Sequence, residues 1–170
     1  MFLRAILMSA YLMSAYMAMA ATQSANAQTA IAQIPIVNTT ISPQQMSGIL
    51  TKAGYPADLA DIKTSEKGLL GQIVKTTMDG KGVFIYFFDC NNASCKSFQI
   101  TLGLTPESRF TVDFANRWNR LTRFVRGMVA ANGNFVMQYD VEVSGGTTDA
   151  CLTNSITLFN QVLTDFDKFR

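Results

Sequence analysis

Phe114-Ala115-Asn116-Arg117-Trp118-Asn119-Arg120 is the stretch on which the reading of this chain turns. It carries the only tryptophan, set between two asparagines and two arginines. Phe110, Phe114, Trp118 and Leu121 recur at the spacing of one helical face. Thr105-Pro106-Glu107 supplies an opening cap, a proline and an early carboxylate. Trp118 therefore reads as a structural core anchor. Arg117, Arg120, Arg123 and Arg126 recur every three residues across the end of this helix, and their default reading is a solvated, salt-bridged set.

Upstream, Ser42-Pro43 starts a first helix with an apolar stripe of Met46, Ile49 and Leu50, and Gly54 stops it. One short strand is expected near Leu59 to Ile62. Leu69 to Met78 follows as a strand, then the turn Asp79-Gly80-Lys81-Gly82, then the β-prone run Val83 to Asp89. Cys90 and Cys95 flank a four-residue loop before a strand from Lys96 to Leu104. Cysteines directly across a strand pair suit a disulfide, a clip contributing about 2 kcal/mol in the chain-entropy model. Cys151 is left as a buried free thiol.

With Cys90 opposite Cys95, Val83, Ile85 and Phe87 face the same way as Phe98, Ile100 and Leu102, an apolar core face. The other face sets Phe84, Tyr86 and Phe88 against Ser97, Gln99 and Thr101. Aromatics among small polar residues read either as a half-wet surface for a partner or as a face covered by another segment.

Downstream, Phe124 to Ala130 and Phe135 to Val143 form a hairpin around Asn132-Gly133. A two-residue turn there sets Ala130 opposite Phe135, Arg126 opposite Tyr139 and Arg123 opposite Glu142. Phe124, Met128, Phe135, Met137, Tyr139 and Val141 then share the core face. Arg126 falls on that face too, where a charge needs a carboxylate, a carbonyl or a ligand. Thr147 caps a last helix with Leu152, Ile156, Phe159, Leu163 and Phe166 along one side. The class is α+β, an antiparallel sheet packed on helices.

Residues 1–27 read as a secretory signal peptide: Arg4, an apolar run from Ala5 to Ala21, and Ala25-Asn26-Ala27 before the cut. Cleavage after Ala20 is the weaker alternative. Residues 28–41 form a flexible lead-in and residues 42–170 the domain. Removing Arg4 leaves a net charge of +1 from 13 basic and 12 acidic residues. That balance gives no field for nucleic acid or an anionic membrane. The mature chain is expected to be soluble, not membrane-embedded, and periplasmic or secreted. With no histidine, Ser-His-Asp and Cys-His catalysis are excluded, and no cofactor or metal motif is present. The expectation is a protein that is not an enzyme.

Phe88-Asp89-Cys90, Cys95-Lys96-Ser97-Phe98-Gln99-Ile100, Asn116-Arg117-Trp118-Asn119, Arg123-Phe124-Val125-Arg126 and Gly145-Gly146 together resemble the YbjN family, in an exported, cysteine-bearing version. The resemblance runs from Ser42 to the C-terminus. It implies a fold like that of type III secretion chaperones, in the order α-β-β-β-α-β-β-α. It also implies a periplasmic homodimer and a role in sensory transduction or chaperone-like regulation, with no catalytic residues to carry over. Two functional expectations follow. One is a protein partner held on Phe84, Tyr86 and Phe88. The alternative is an anionic ligand or lipid headgroup met by Asn116, Asn119, Arg123 and Arg126.

Overall fold

The computed structural model describes residues 37–63 and 69–169. The leader, its cleavage site and most of the lead-in lie outside them. Helix α1 (Pro43–Lys52) begins with a capping box. The Ser42 hydroxyl accepts from the Gln45 N–H, and the Gln45 side chain accepts from the Ser42 N–H. Gly54, at φ +87°, ends it. Strands β1 (Ala57–Asp61), β2 (Gln72–Met78), β3 (Lys81–Asn91) and β4 (Ser94–Leu104) follow. Then come α2 (Val112–Leu121), β5 (Arg126–Val129), β6 (Phe135–Glu142) and α3 (Asp149–Phe169). The α+β class and the antiparallel sheet stand as expected, with β1 as the fourth strand ahead of α2.

The sheet order is β1-β2-β3-β4-β6-β5, every neighbour antiparallel. The last hairpin thus enters with its second strand, which leaves β5 at one edge. Inward residues Val83, Ile85, Phe87, Phe98, Ile100 and Leu102 are buried. They share one core with Met46 and Leu50 of α1, Phe114 and Trp118 of α2, and Leu152, Ile156, Phe159, Leu163 and Phe166 of α3. The three helices therefore pack on one face of the sheet, and among the described residues no helix covers the other.

Trp118 is the anchor the sequence indicated. Its ring lies edge-on to Phe166 and Phe169, at 5.2 and 5.3 Å between centroids. Its indole N–H donates to the Val125 carbonyl at 3.2 Å. The start of α2 differs from expectation. The helix is capped by Thr111, whose hydroxyl accepts from the Phe114 N–H at 3.2 Å, and Thr105-Pro106-Glu107 precedes it as irregular chain leading into a turn at Ser108-Arg109. Starting late, α2 has only ten residues, and Leu121 at its end is 70% exposed instead of buried. The last helix is capped by Thr148, not Thr147, through the Cys151 N–H at 3.2 Å.

The β3–β4 hairpin has the expected register, with Cys90 opposite Cys95 and Tyr86 opposite Gln99. Its turn is tighter than expected, Asn92-Ala93 alone, with Asn92 in the left-handed region. The Cys90–Cys95 disulfide is formed across strand partners 3.9 Å apart at Cα. Cys95 also exchanges two backbone hydrogen bonds with Ile41, and Asn38 does the same with Thr147, so the segment ahead of α1 is stitched to the sheet. Cys151 is free but exposed, not buried as expected. Hydrogen bonds from the Thr148 side chain and backbone, then the Thr147 side chain, hold its thiol below the ordinary cysteine pKa.

The β5–β6 hairpin corrects the sequence reading by one residue. Val129 pairs with Phe135, Gly127 with Met137 and Arg126 with Gln138. The cause is the loop. Asp79-Gly80, with both residues at positive φ, is a true two-residue turn between β2 and β3. In the later hairpin only Gly133 is at positive φ, and the Ala130 N–H donates to the Asn134 carbonyl at 2.9 Å. The loop is therefore three residues, Ala131-Asn132-Gly133, with glycine at the left-handed position. One extra residue moves every β5 side chain to the opposite face. Phe135 and Met137 stay buried, but Met128 is 40% and Phe124 60% exposed.

Candidate functional site

On the open face, β3 presents Phe84, Tyr86 and Phe88, all half-buried. Beside them β4 presents Ser97, Gln99 and Thr101, also half-buried. Alternation along β6 places Gln138 and Asp140 on this face, and the register shift adds Arg126 of β5. All of these except Phe84 line a shallow groove of about 760 Å³.

Gln99 lies at the centre of a continuous polar row. Its amide N–H donates to Asp140 at 2.6 Å, and its oxygen accepts from Gln138 at 2.8 Å and from the Thr101 hydroxyl at 3.0 Å. Arg126 donates to the Gln138 oxygen at 3.2 Å and pairs with Asp140, also at 3.2 Å. The ion pair is more than half exposed on both sides, so it contributes at most about 1 kcal/mol. Its larger effect is orientation, because it fixes two side chains that would otherwise be mobile. Hydrogen bonds from Ser144, its side chain first and its backbone N–H second, lower the pKa of Glu142 at the rim.

The groove floor is made of central strands, whose backbone groups already pair within the sheet. Whatever binds there must be read by side chains: a row of aromatic rings beside a row of amides, a carboxylate and a guanidinium. That arrangement recognises a ligand with apolar groups on one flank and hydrogen-bonding groups on the other.

Of the residues singled out from sequence, Tyr86 and Phe88 occupy one wall of this groove, and Phe84 lies on the same face of β3 outside it. The four ligand candidates do not converge. Arg126 is on the open face, bound to Asp140 and Gln138, and is not a charge isolated among apolar side chains as the expected register implied. Arg123 precedes β5 on the helix side, its guanidinium 5.0 Å over the Phe124 ring, and makes no cross-strand pair with Glu142. Asn116 is exposed on α2. Asn119 is committed to the backbone. It accepts from the Gly127 N–H at 2.7 Å and donates to the Gly127 carbonyl at 2.9 Å. Its amide thereby stands in for a neighbouring strand on the outer edge of β5.

Gly127 is required where it lies, since a Cβ there would overlap the rings of Phe135 and Trp118. The Asn116–Arg126 region thus works as a clasp between α2 and the edge of the sheet. Gln138 and Asp140 were missed from sequence. The alternation around Met137 and Tyr139 carried the signal, because both fall on the face opposite those residues.

These features define an α+β domain with helices on one face of the sheet and a groove of aromatic and polar side chains on the other. The family model described as "putative bacterial sensory transduction regulator", YbjN, matches residues 42–169, and the chain belongs to that family. Neither a curated protein nor a solved structure matches the chain. Among the described residues no helix is long and apolar enough to cross a membrane.

Proposed function

We propose that this protein is a non-catalytic regulatory module that captures an extended segment of a partner protein on the open face of its sheet. The observation that carries this reading is the pair Tyr86 and Phe88, half-buried beside the ordered Gln99–Gln138–Asp140 row on a face no helix covers. An extended segment alternates its side chains, so one flank can lie on the aromatic rings while the other meets the polar row. The signal-like leader supports action in the periplasm or outside the cell. The family resemblance supports a homodimer and a chaperone-like mode of holding a segment. The anionic-ligand alternative is weaker, since Arg126 is neutralised by Asp140 and Asn119 is engaged with Gly127.

The test is the double variant Tyr86→Ser/Phe88→Ser, compared with the parent by thermal melting and by cross-linking to partners in a periplasmic extract. A retained melting transition with lost cross-links supports the proposal. Loss of the folded state would place those rings in the core and refute it.

A further inference from the structure

A second groove, of about 650 Å³, runs on the helix side between α2, the turn after it and α3. Its apolar wall is formed by Leu121, Phe124, Leu158, Val162 and Phe169. Leu121 is 70% and Phe124 60% exposed, and Phe124 holds a left-handed backbone at φ +70°. That conformation is rare for a bulky residue, and here it presents the ring to solvent. Arg123 lines this groove and Arg117 borders it. Among the described residues neither has a carboxylate partner, whereas Arg126, Arg109, Lys81 and Lys168 each have one. Arg117 lies 5.6 Å over the Phe169 ring and Arg123 lies over Phe124, so two cations border the apolar wall directly. Asp165, on the facing helix, is matched by Lys168 at 3.2 Å. The groove's net charge is therefore positive.

We propose that this groove receives an acidic amphipathic helix of a partner protein. Charge complementarity selects the sign: two arginines without carboxylates, Arg117 and Arg123, call for glutamates or aspartates on the incoming segment. Shape selects the conformation. The lining residues of α3 run from Asn154 to Phe169, about 22 Å at 1.5 Å per residue, or four helical turns. The groove walls are side chains and offer no sheet ladder. A bound segment must then satisfy its own backbone, which a helix does and a strand does not. On the nearest sheet edge, β5, the Gly127 peptide groups are already taken by Asn119.

The test uses the purified protein and two labelled synthetic amphipathic helices of about 15 residues. They share apolar positions and carry either glutamate or lysine on the polar face. By fluorescence anisotropy the glutamate peptide should bind at least roughly tenfold more tightly than the lysine peptide, with affinity falling as salt rises. Arg117→Glu/Arg123→Glu should lose that preference. Phe124→Gly should lose binding while melting no lower than the parent, because glycine adopts the left-handed backbone without cost. Tyr86→Ser/Phe88→Ser should bind the peptide normally, which keeps this site separate from the open sheet face.

Equal binding of the two peptides, no binding of either, or binding indifferent to the arginine variants overturns the proposal. So does a result in which Phe124→Gly abolishes sedimentation with phosphatidylglycerol vesicles but not peptide binding, which assigns the groove to a membrane. If Phe124→Gly instead converts a dimer to a monomer, a second copy is the occupant and the proposal fails.

Discussion

Replacing Asn119 with alanine tests whether the Asn-Arg-Trp-Asn stretch is a clasp or a ligand site. In the folded protein its amide makes two hydrogen bonds to one glycine, at 2.7 and 2.9 Å. Each contributes about 1 kcal/mol net. Gly127 is buried, but the Asn119 side chain that covers its peptide groups is exposed, so water can take the place of the deleted amide and the full penalty of burying an unpaired amide does not apply. The expected loss is about 1–2 kcal/mol. For a domain of this size that is a fall in melting temperature of about 4–8 °C, readable by circular dichroism. Asn119→Asp keeps an acceptor for the Gly127 N–H and loses only the donor, so it should fall between alanine and the parent. A melting temperature unchanged in Asn119→Ala, within about 1 °C, would refute the clasp and return Asn119 to the list of ligand contacts.

Gly127→Ala should cost about 1–3 kcal/mol by overpacking against Phe135 and Trp118, seen as a lower urea midpoint with an unchanged slope. Cys90→Ala/Cys95→Ala should lose about 2 kcal/mol, and dithiothreitol should lower the parent's melting temperature but not the variant's. Lys81 tests the pH dependence. Burial alone would lower its pKa, but Asp79 at 2.8 Å and Asp167 at 2.9 Å together outweigh that and raise it. A raised folded-state value contributes stability that is complete below the unfolded lysine pKa and lost as pH rises through the folded one. Lys81→Gln should therefore melt below the parent at neutral pH, and the gap should close at strongly alkaline pH.

Much of this fold was legible in the sequence because two local signals were unambiguous. The cysteine pair fixed the phase of the β3–β4 hairpin, and every inward and outward residue of that hairpin followed. Ser42-Pro43 marked the start of the first helix to the residue. The second hairpin was misread because Asn132-Gly133 fits both a two-residue turn and the end of a three-residue loop, and short-range sequence does not separate them. The second helix was started too early because Thr105 and Thr111 are both plausible caps. Only packing of Phe110 and Phe114 against Phe135 favours the later one.

For the candidate site the same division holds. Tyr86 and Phe88 were visible by alternation alone, as Gln138 and Asp140 would have been, whereas the place of Arg126 was hidden by the register error. The clasp of Asn119 on Gly127 had no sequence signal, because it depends on how the chain bends between a helix and a strand.

The three-residue loop at Ala131-Asn132-Gly133 also limits how this hairpin can vary. Strand side chains alternate with period two, so a change of one residue in the loop would turn Arg126 and Met128 inward. Gly127 would then face outward, and Asn119 would have no peptide to hold. A change of two would restore the phase and lengthen only the tip. The loop should therefore accept insertions in pairs and reject single ones, a parity rule that a small insertion library would expose as alternating folded and unfolded clones.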